Sequence, residues 1–418
     1  MRQILAVPLL ISLLFAKSFA GQVEVLHYWT SGGEAAALEV LKEQMAKSSH
    51  QWLDFEVAGG GGENANQQLQ ARVLKGDPPT AALIKGLDIQ RWARLGFLAN
   101  LNDLADEQNW ANILPTEVAN VMKHKGNFVA VPVNVHRVNW LWANSRILNQ
   151  LNITPPTNWQ EFDAAAQKIA SAGYQVIALG DQDWQHATLF ETLALSVGGP
   201  EFYSEVFADH TFNAKNSKIL AQVFDRYYQV LQYANLNAVT EWTDATESVI
   251  SGEAAFQVMG DWAKGEFTNA NKQPNNDYFC LPVPGTQEMF LFNIDSFAMF
   301  KLKKTKPEDQ IAQTALASNI MGEPFQEAFN LNKGSIPVRT DMSLNRFDYC
   351  SKFSMNEFLS SSEKGTLLPS IAHGMATTGT IQGYFLERIG ELTRNPVSPE
   401  KAAKELVKAI RYGQYIIR

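Results

Sequence analysis

The sequence predicts an α/β protein built as two discontinuous lobes joined by hinge strands. Three observations carry that expectation. Over residues 23–85, short apolar runs alternate with helical stripes, an order of strand–helix–strand–helix–strand that argues for parallel βαβ units in a doubly wound sheet. Two long extended stretches, 128–144 and 289–300, are unusual in a βα repeat and fit a crossing from one lobe to another and a return. Finally, 418 residues with 45% hydrophobic and 19% charged side chains supply enough apolar mass for large cores and too little net charge for disorder.

Residues 1–20 are read apart from the fold. Arg2, an apolar run over 4–16, and the small residues of Ser18-Phe19-Ala20 before a cut at Gly21 follow the order of a secretory signal peptide. As a helix the run spans about 20 Å, short of the roughly 30 Å hydrocarbon core of a bilayer. No cysteine near the cut offers a lipid attachment point, and no later segment is apolar enough to span a membrane. The mature chain is therefore expected free in the periplasm, without membrane insertion.

A strand over 23–29 ends at Thr30-Ser31-Gly32-Gly33, and a helix over 34–47 lines up Ala37, Leu38, Leu41 and Met45. A second strand over 53–58 runs into four glycines at 59–62. A dinucleotide loop fails there, because Ala65 stands where the third glycine of Gly-x-Gly-x-x-Gly belongs. The glycines read instead as a turn that lets backbone approach a ligand or the opposite lobe. A helix over 65–75 closes at Gly76-Asp77-Pro78-Pro79, before a strand over 80–85. Beyond the first crossing, Thr157-Asn158-Trp159-Gln160 fits a capping box ahead of 162–169. A short strand over 176–180 follows, then helices over 187–197, 217–234 and 244–251, and a strand over 255–260 that runs into Asp261-Trp262. After the second crossing, helical patterns occupy 307–331 and 398–413. On this reading 21–133 plus 296–340 form an N-terminal lobe, and 134–295 plus 341–418 a C-terminal lobe. Such a hinge suits opening and closing around a ligand.

A formal net charge of −8 without a basic block argues against nucleic acid and against an anionic membrane surface. There is no Gly-x-Ser-x-Gly, His-Glu-x-x-His or Walker signature, and the seven histidines never fall at ligand spacing, so no catalytic residue, metal or cofactor is expected. Cys280 and Cys350 are the only cysteines. In an oxidising compartment they are favoured to bridge, with two buried free thiols as the rival reading.

Ten tryptophans stand beside those few histidines and cysteines. Trp52, Trp92, Trp110 and Trp159 read as packing against helices, Trp140 and Trp142 as structural in the crossing strand, and Trp184 as undecided. Trp29, Trp242 and Trp262 fall at strand ends or helix starts, where an open α/β sheet presents its ligand. Charged residues gather at similar places: Glu34, Lys85, His136, Arg137, Asp181, Asp295, Lys333 and His373. An indole ring suits the C–H face of a pyranose, and hydroxyls that both donate and accept want fixed charged partners. The pattern points to a carbohydrate.

The export signal, Val23-Glu24-Val25-Leu26-His27-Tyr28-Trp29, Lys75-Gly76-Asp77-Pro78-Pro79 and Val131-Pro132-Val133-Asn134-Val135 together resemble a solute-binding protein of an ABC importer. The chain is similar to the sugar group related to maltose-binding protein, and more narrowly to bacterial glucose/mannose-binding members. The resemblance implies the two-lobed periplasmic-binding-protein (Venus flytrap) fold. It also implies a monosaccharide ligand (glucose first, with mannose or galactose next), transient docking on a membrane ABC permease, and a monomer. It carries over to Tyr28, Trp29, Glu34, Lys85, Trp242, Trp262, Asp295, Lys333 and His373 as ligand-binding residues. Tyr28 stands where family members often have Trp, so its hydroxyl can bond rather than its ring stack. His136, Arg137 and Asp181 are added from context alone. Two alternatives stay open: a di- or oligosaccharide receptor, and a secreted glycoside hydrolase drawing a carboxylate pair from Asp181, Asp261 and Asp295.

Overall fold

Val23, Val25 and Leu26 are buried in β1 (Gly21–His27), and the first sheet assembles around that strand. The computed structural model describes residues 21–58, 62–302 and 306–416; the expected signal peptide and the first three of the four glycines lie outside the described residues. β1 pairs in parallel with β2 (His50–Glu56) and β3 (Ala81–Leu83), through the helices Gly32–Lys47 and Glu63–Leu74. The expected βαβ start is present.

After a two-residue hairpin, β4 (Lys123–His124) with β5 (Asn127–Phe128), the chain runs through β6 (Ala130–Arg137) into β7 (Trp140–Asn144). The second sheet adds β8 (Gln175–Ile177), β9 (Ala254–Val258) and β10 (Tyr278–Pro282), in the order β10-β7-β9-β8. β11 (Phe290–Met299) returns to the first sheet, antiparallel to β3 and β6, and β12 (Leu367–Pro369) pairs with it in parallel. The first sheet is thus mixed, because β11 and its parallel partner β12 run against β1, β2, β3 and β6.

Two hydrophobic cores follow the two sheets. One gathers β1, β3, β6 and most of β11; the other starts at Val138 and gathers β7 to β10 with the last two helices. Only Val138 and Asn139 separate β6 from β7. The Asn139 amide donates to Met289 O at 3.0 Å and to Thr286 Oγ1 at 3.1 Å, and its Oδ1 accepts the Leu291 N–H at 3.0 Å. One side chain thus joins both crossings.

Some helices were not legible. Tyr349–Lys364 is rich in serine and Gly379–Arg394 contains three glycines, compositions that blur an apolar stripe. The expected helix over 307–331 is two, Pro307–Met321 and Glu323–Lys333, broken at Gly322. The start of Trp159–Ser171 is capped by Asn158, whose side chain accepts the Glu161 N–H at 3.0 Å.

Cys280 of β10 and Cys350 of the helix Tyr349–Lys364 are bridged, with Cα atoms 6.1 Å apart and a sequence separation of 70. Trp92, Trp110, Trp140 and Trp142 lie in the cores. Among the described residues no helix is long and apolar enough to cross a membrane. A Cys280→Ser/Cys350→Ser double variant should lose roughly 2–4 kcal/mol of unfolding free energy in urea titrations. An unchanged midpoint and slope would show that the bridge adds nothing.

Candidate functional site

The carboxyl ends of β1 and β3, the helix start after each, and the turns after β9 and β12 converge on one cavity of about 310 Å³. Ser31 caps the helix Gly32–Lys47: its hydroxyl accepts the Glu34 N–H at 3.4 Å, and Glu34 Oε2 accepts the Ser31 N–H at 3.5 Å. This reciprocal cap orients Glu34, and its Oε1 pairs with the Lys333 ammonium. Lys333 ends the helix Glu323–Lys333 because Gly334 turns left-handed at φ +88°. A Cβ there would sit 2.3 Å from Asp261 O, so only glycine allows the approach. Lys333 Nζ lies 5.4 Å from the ring centroid of Trp29, which packs on Phe297 and Phe329. Trp29 is only 1% exposed, so it backs Lys333 more than it offers an open plate.

Asp295 lies at a register shift in the pairing of β11 with β6. Its Oδ1 is 3.2 Å from Lys85 Nζ and its Oδ2 is 3.0 Å from His136 Nε2. His136 Nδ1 pairs in turn with Asp261 Oδ1, and Asp261 Oδ2 accepts the Arg137 N–H at 3.0 Å. Burial alone would raise the Asp295 pKa, but Lys85 and His136 overcome it and hold the carboxyl well below its usual range. Burial would lower His136, but Asp261 and Asp295 together hold it above its ordinary value. Lys85 is raised in the same way, against burial, chiefly by Asp295. Burial pushes the Tyr28 phenol up to about 12, with Lys85 opposing; the Lys85 ammonium is 5.4 Å from the Tyr28 ring centroid.

Trp262 meets His136 edge-on at 5.2 Å and His373 at 4.9 Å, and Trp184 stands 6.3 Å away. Gly260 makes room for Trp262, since a Cβ there would fall 2.2 Å from the indole. Trp242 opens the helix Trp242–Ser251 and also lines the cavity. Thr188 donates its single hydroxyl proton to Trp184 O at 2.8 Å and lies 3.1 Å from His373 Nε2. His373 Nε2–H therefore donates to Thr188, which leaves Nδ1 as an acceptor. Burial first, then Lys85 and His136, hold this imidazole neutral, well below its ordinary pKa.

Tyr28, Trp29, Glu34, Lys85, His136, Trp242, Trp262, Asp295, Lys333 and His373 thus line one cavity. Two sequence-based candidates do not. Arg137 is fully buried on the other side of β6, its guanidinium 4.5 Å from the Trp140 centroid and 4.0 Å from Glu357 Oε2. Burial lowers it to about 10. Asp181 is half-exposed and pairs with Arg394 at 3.2 Å. Asn293, Gln182, Trp184 and Glu241 line the cavity without having been singled out as ligand residues. Asn293 was findable: two residues before Asp295, it shares that strand face.

The arrangement offers fixed donors (Lys85, Lys333), fixed acceptors (Asp295, Glu34, His373 Nδ1) and indole faces. Both ring nitrogens of His136 are committed to carboxylates, so it is not free to serve as a base. Among the described residues, no group of three or more His, Cys, Asp or Glu is placed to hold a metal ion.

The family model of the bacterial extracellular solute-binding proteins matches residues 31–317. The "Probable sugar-binding periplasmic protein" of Brucella suis biovar 1 (strain 1330) is 42% identical over 389 residues, 93% of this chain and 91% of that one. A solved "Chitin oligosaccharide binding protein" superposes with a TM-score of 0.80 at 17% identity, covering 94% of this chain and 99% of its own. The bacterial solute receptor AcbH, with an exclusive preference for b-D-galactopyranose, superposes with a TM-score of 0.79 at 18% identity, over 96% of this chain and 100% of its own. These two likenesses establish the two-lobed fold.

Asp295→Ala leaves Lys85 and His136 buried without their shared partner, which should cost about 3–5 kcal/mol of stability. A carboxyl held below its ordinary 3.8 stabilises the fold above that pH and stops doing so as pH falls through its lowered value. An imidazole held above 6.5 stabilises fully below that pH and stops as pH rises through its raised value. The gap between wild type and Asp295→Ala in urea titrations should therefore be widest between pH 3.8 and 6.5. A gap that does not vary with pH would contradict the coupling.

Proposed function

Because the chain belongs to the bacterial extracellular solute-binding proteins, we propose that it is a periplasmic receptor for a monosaccharide, glucose first with mannose or galactose next. It captures the sugar between its lobes and delivers it to a membrane ABC permease, with which it docks transiently as a monomer. The carrying observation is the convergence of Lys85, Asp295, Glu34, Lys333 and His373 with Trp262 and Trp242 on one cavity. The reading includes two lobes, 21–133 plus 296–340 and 134–295 plus 341–418, and export by a cleaved signal over 1–20. Two separate hydrophobic cores support there being two lobes, although Val135, Phe290, Phe292 and Ile294 pack in the first core rather than the second.

One face of the ring rests on Trp262 or Trp242, and the hydroxyls meet donors and acceptors already held in place by their own ion pairs. An epimer leaves one of those buried groups unpaired, a larger penalty than a lost apolar contact. Binding groups from both lobes gives the closed form the higher affinity, and that difference drives closure. A hydrolase is disfavoured: Asp295 is held ionised between two cations, Asp261 is committed to His136 and the Arg137 N–H, and Asp181 lies off the cavity lining. A di- or oligosaccharide remains a second reading, supported by the polar side chains Asn66, Gln182 and Gln382 in the same lining.

Intrinsic tryptophan fluorescence titrated with glucose, mannose, galactose and maltose tests this. The expected result is saturable one-to-one binding of glucose; tighter binding of maltose would move the substrate class to the second reading. Silence toward every mono- and disaccharide would remove the sugar assignment. Asp295→Asn, which keeps the volume, should weaken glucose at least about tenfold, or ~1.4 kcal/mol. Unchanged affinity would take Asp295 out of the site.

A further inference from the structure

Glu191 is wholly buried in the helix Asp183–Tyr203, away from the cavity lining. Its Oε1 accepts from Ser370 Oγ at 2.6 Å. Its Oε2 accepts from Tyr203 OH at 2.8 Å and from the N–H groups of Ile371 at 2.9 Å and Ala372 at 3.2 Å. Tyr203 is twelve residues away on the same element. Twelve residues of straight helix rise about 18 Å, so the contact depends on the break at Gly199, where φ is +76°, and Pro200.

These acceptors hold one turn. Ser370 Oγ also accepts the His373 N–H at 3.1 Å, and Gln382 Nε2 donates to Ala372 O at 2.8 Å. On its far side the turn touches the segment that carries Lys85: a Cβ on Gly86 would lie 2.1 Å from Gly374 O. The turn is therefore gripped between the Glu191 carboxylate and Gly86, with His373 between them facing the cavity. A buried carboxyl facing only neutral groups is a poor way to gain stability. Two consecutive N–H groups left over at the end of β12 give it its use.

We infer that Glu191 is a positioning residue for the sugar site, holding the 370–374 turn so that His373 meets the ligand; this rests on the monosaccharide reading above. Burial pushes the Glu191 carboxyl up to about 7, against Ser370, Tyr203 and the two backbone donors. Among the described residues its partners are neutral: Tyr203 comes from its own element, Ser370 and the two amides from the turn, and the nearby His373 is held neutral. When the turn lifts, Glu191 meets water and returns toward its ordinary value. The docked turn is then favoured fully at low pH, and that advantage fades as pH rises from the ordinary carboxyl range toward 7.

Calorimetric titration of the mature chain with glucose tests this from about pH 5 to about pH 8. Wild-type affinity should fall several-fold toward the alkaline end. Glu191→Gln, which imitates the protonated acid, should lose that component of the slope and match the acidic limb. Glu191→Ala should bind about tenfold more weakly or worse throughout. Ser370→Ala, which keeps the carboxyl, should fall in between and serves if Glu191→Ala does not fold. Glucose binding by Glu191→Ala or, failing that, Ser370→Ala as tight as wild type, or an unaltered slope in Glu191→Gln, overturns the inference. If wild type binds no sugar, the monosaccharide reading fails instead. Amide exchange at Ile371 and Ala372 then decides the anchor, which is overturned if removing Glu191 or Ser370 leaves exchange unaccelerated.

Discussion

The Asp295 carboxylate lies in the middle of a crossing strand, 1% exposed, and cannot stay ionised there alone. Two cations make it possible, Lys85 from the end of β3 and His136 from β6, and Asp261 steadies His136 from the turn after β9. The four groups come from four separated stretches of chain, two in the first sheet's strands and one from each sheet's strand ends. A buried ion network of this kind tolerates little displacement, since each charge is costly without its partner. The same side chains that join the sheets therefore also present fixed donors and acceptors to the cavity.

Much of the neighbouring structure keeps that network in register. The pairing of β11 with β6 shifts register between Asp295 and Ser296, where the acid meets Lys85, and Asn139 holds the two crossings together a few residues away. Behind β6, Arg137 is caged by Trp140, Phe290 and Phe353. Phe353 and Glu357 lie on the helix that the Cys280–Cys350 bridge ties to the second sheet. At the outer edge, Glu34 and Lys333 neutralise each other, so the cavity carries close charge pairs rather than one dominant sign. That suits an uncharged, hydroxyl-rich ligand better than an ion.

The opening βαβ strands and helices were legible because short apolar runs and helical stripes alternate there, and the crossings because they stay extended and apolar too long for a βα repeat. The short helices from Gly86–Arg94 to Thr116–Met122 were not, being only four to nine residues long. The mixed direction of the first sheet was not, since strand direction depends on partners far along the chain. Strand-end residues such as Lys85 and helix-end residues such as Lys333 stood out by position. His136 and Arg137 illustrate what context alone misses: adjacent residues of a strand face opposite sides, so one faces the cavity and the other its back. Glu191 was invisible because it sits inside a helix, and its partners lie about 180 residues further on.

The network's most direct test is the ionisation of His136, followed by nitrogen-15 NMR of the imidazole in the ligand-free protein. The expected result is an imidazole that is predominantly protonated on both ring nitrogens at pH 6.5 and titrates above that value. A neutral ring at that pH, or titration at or below the ordinary value, would contradict a site organised around Asp295 and its two cations.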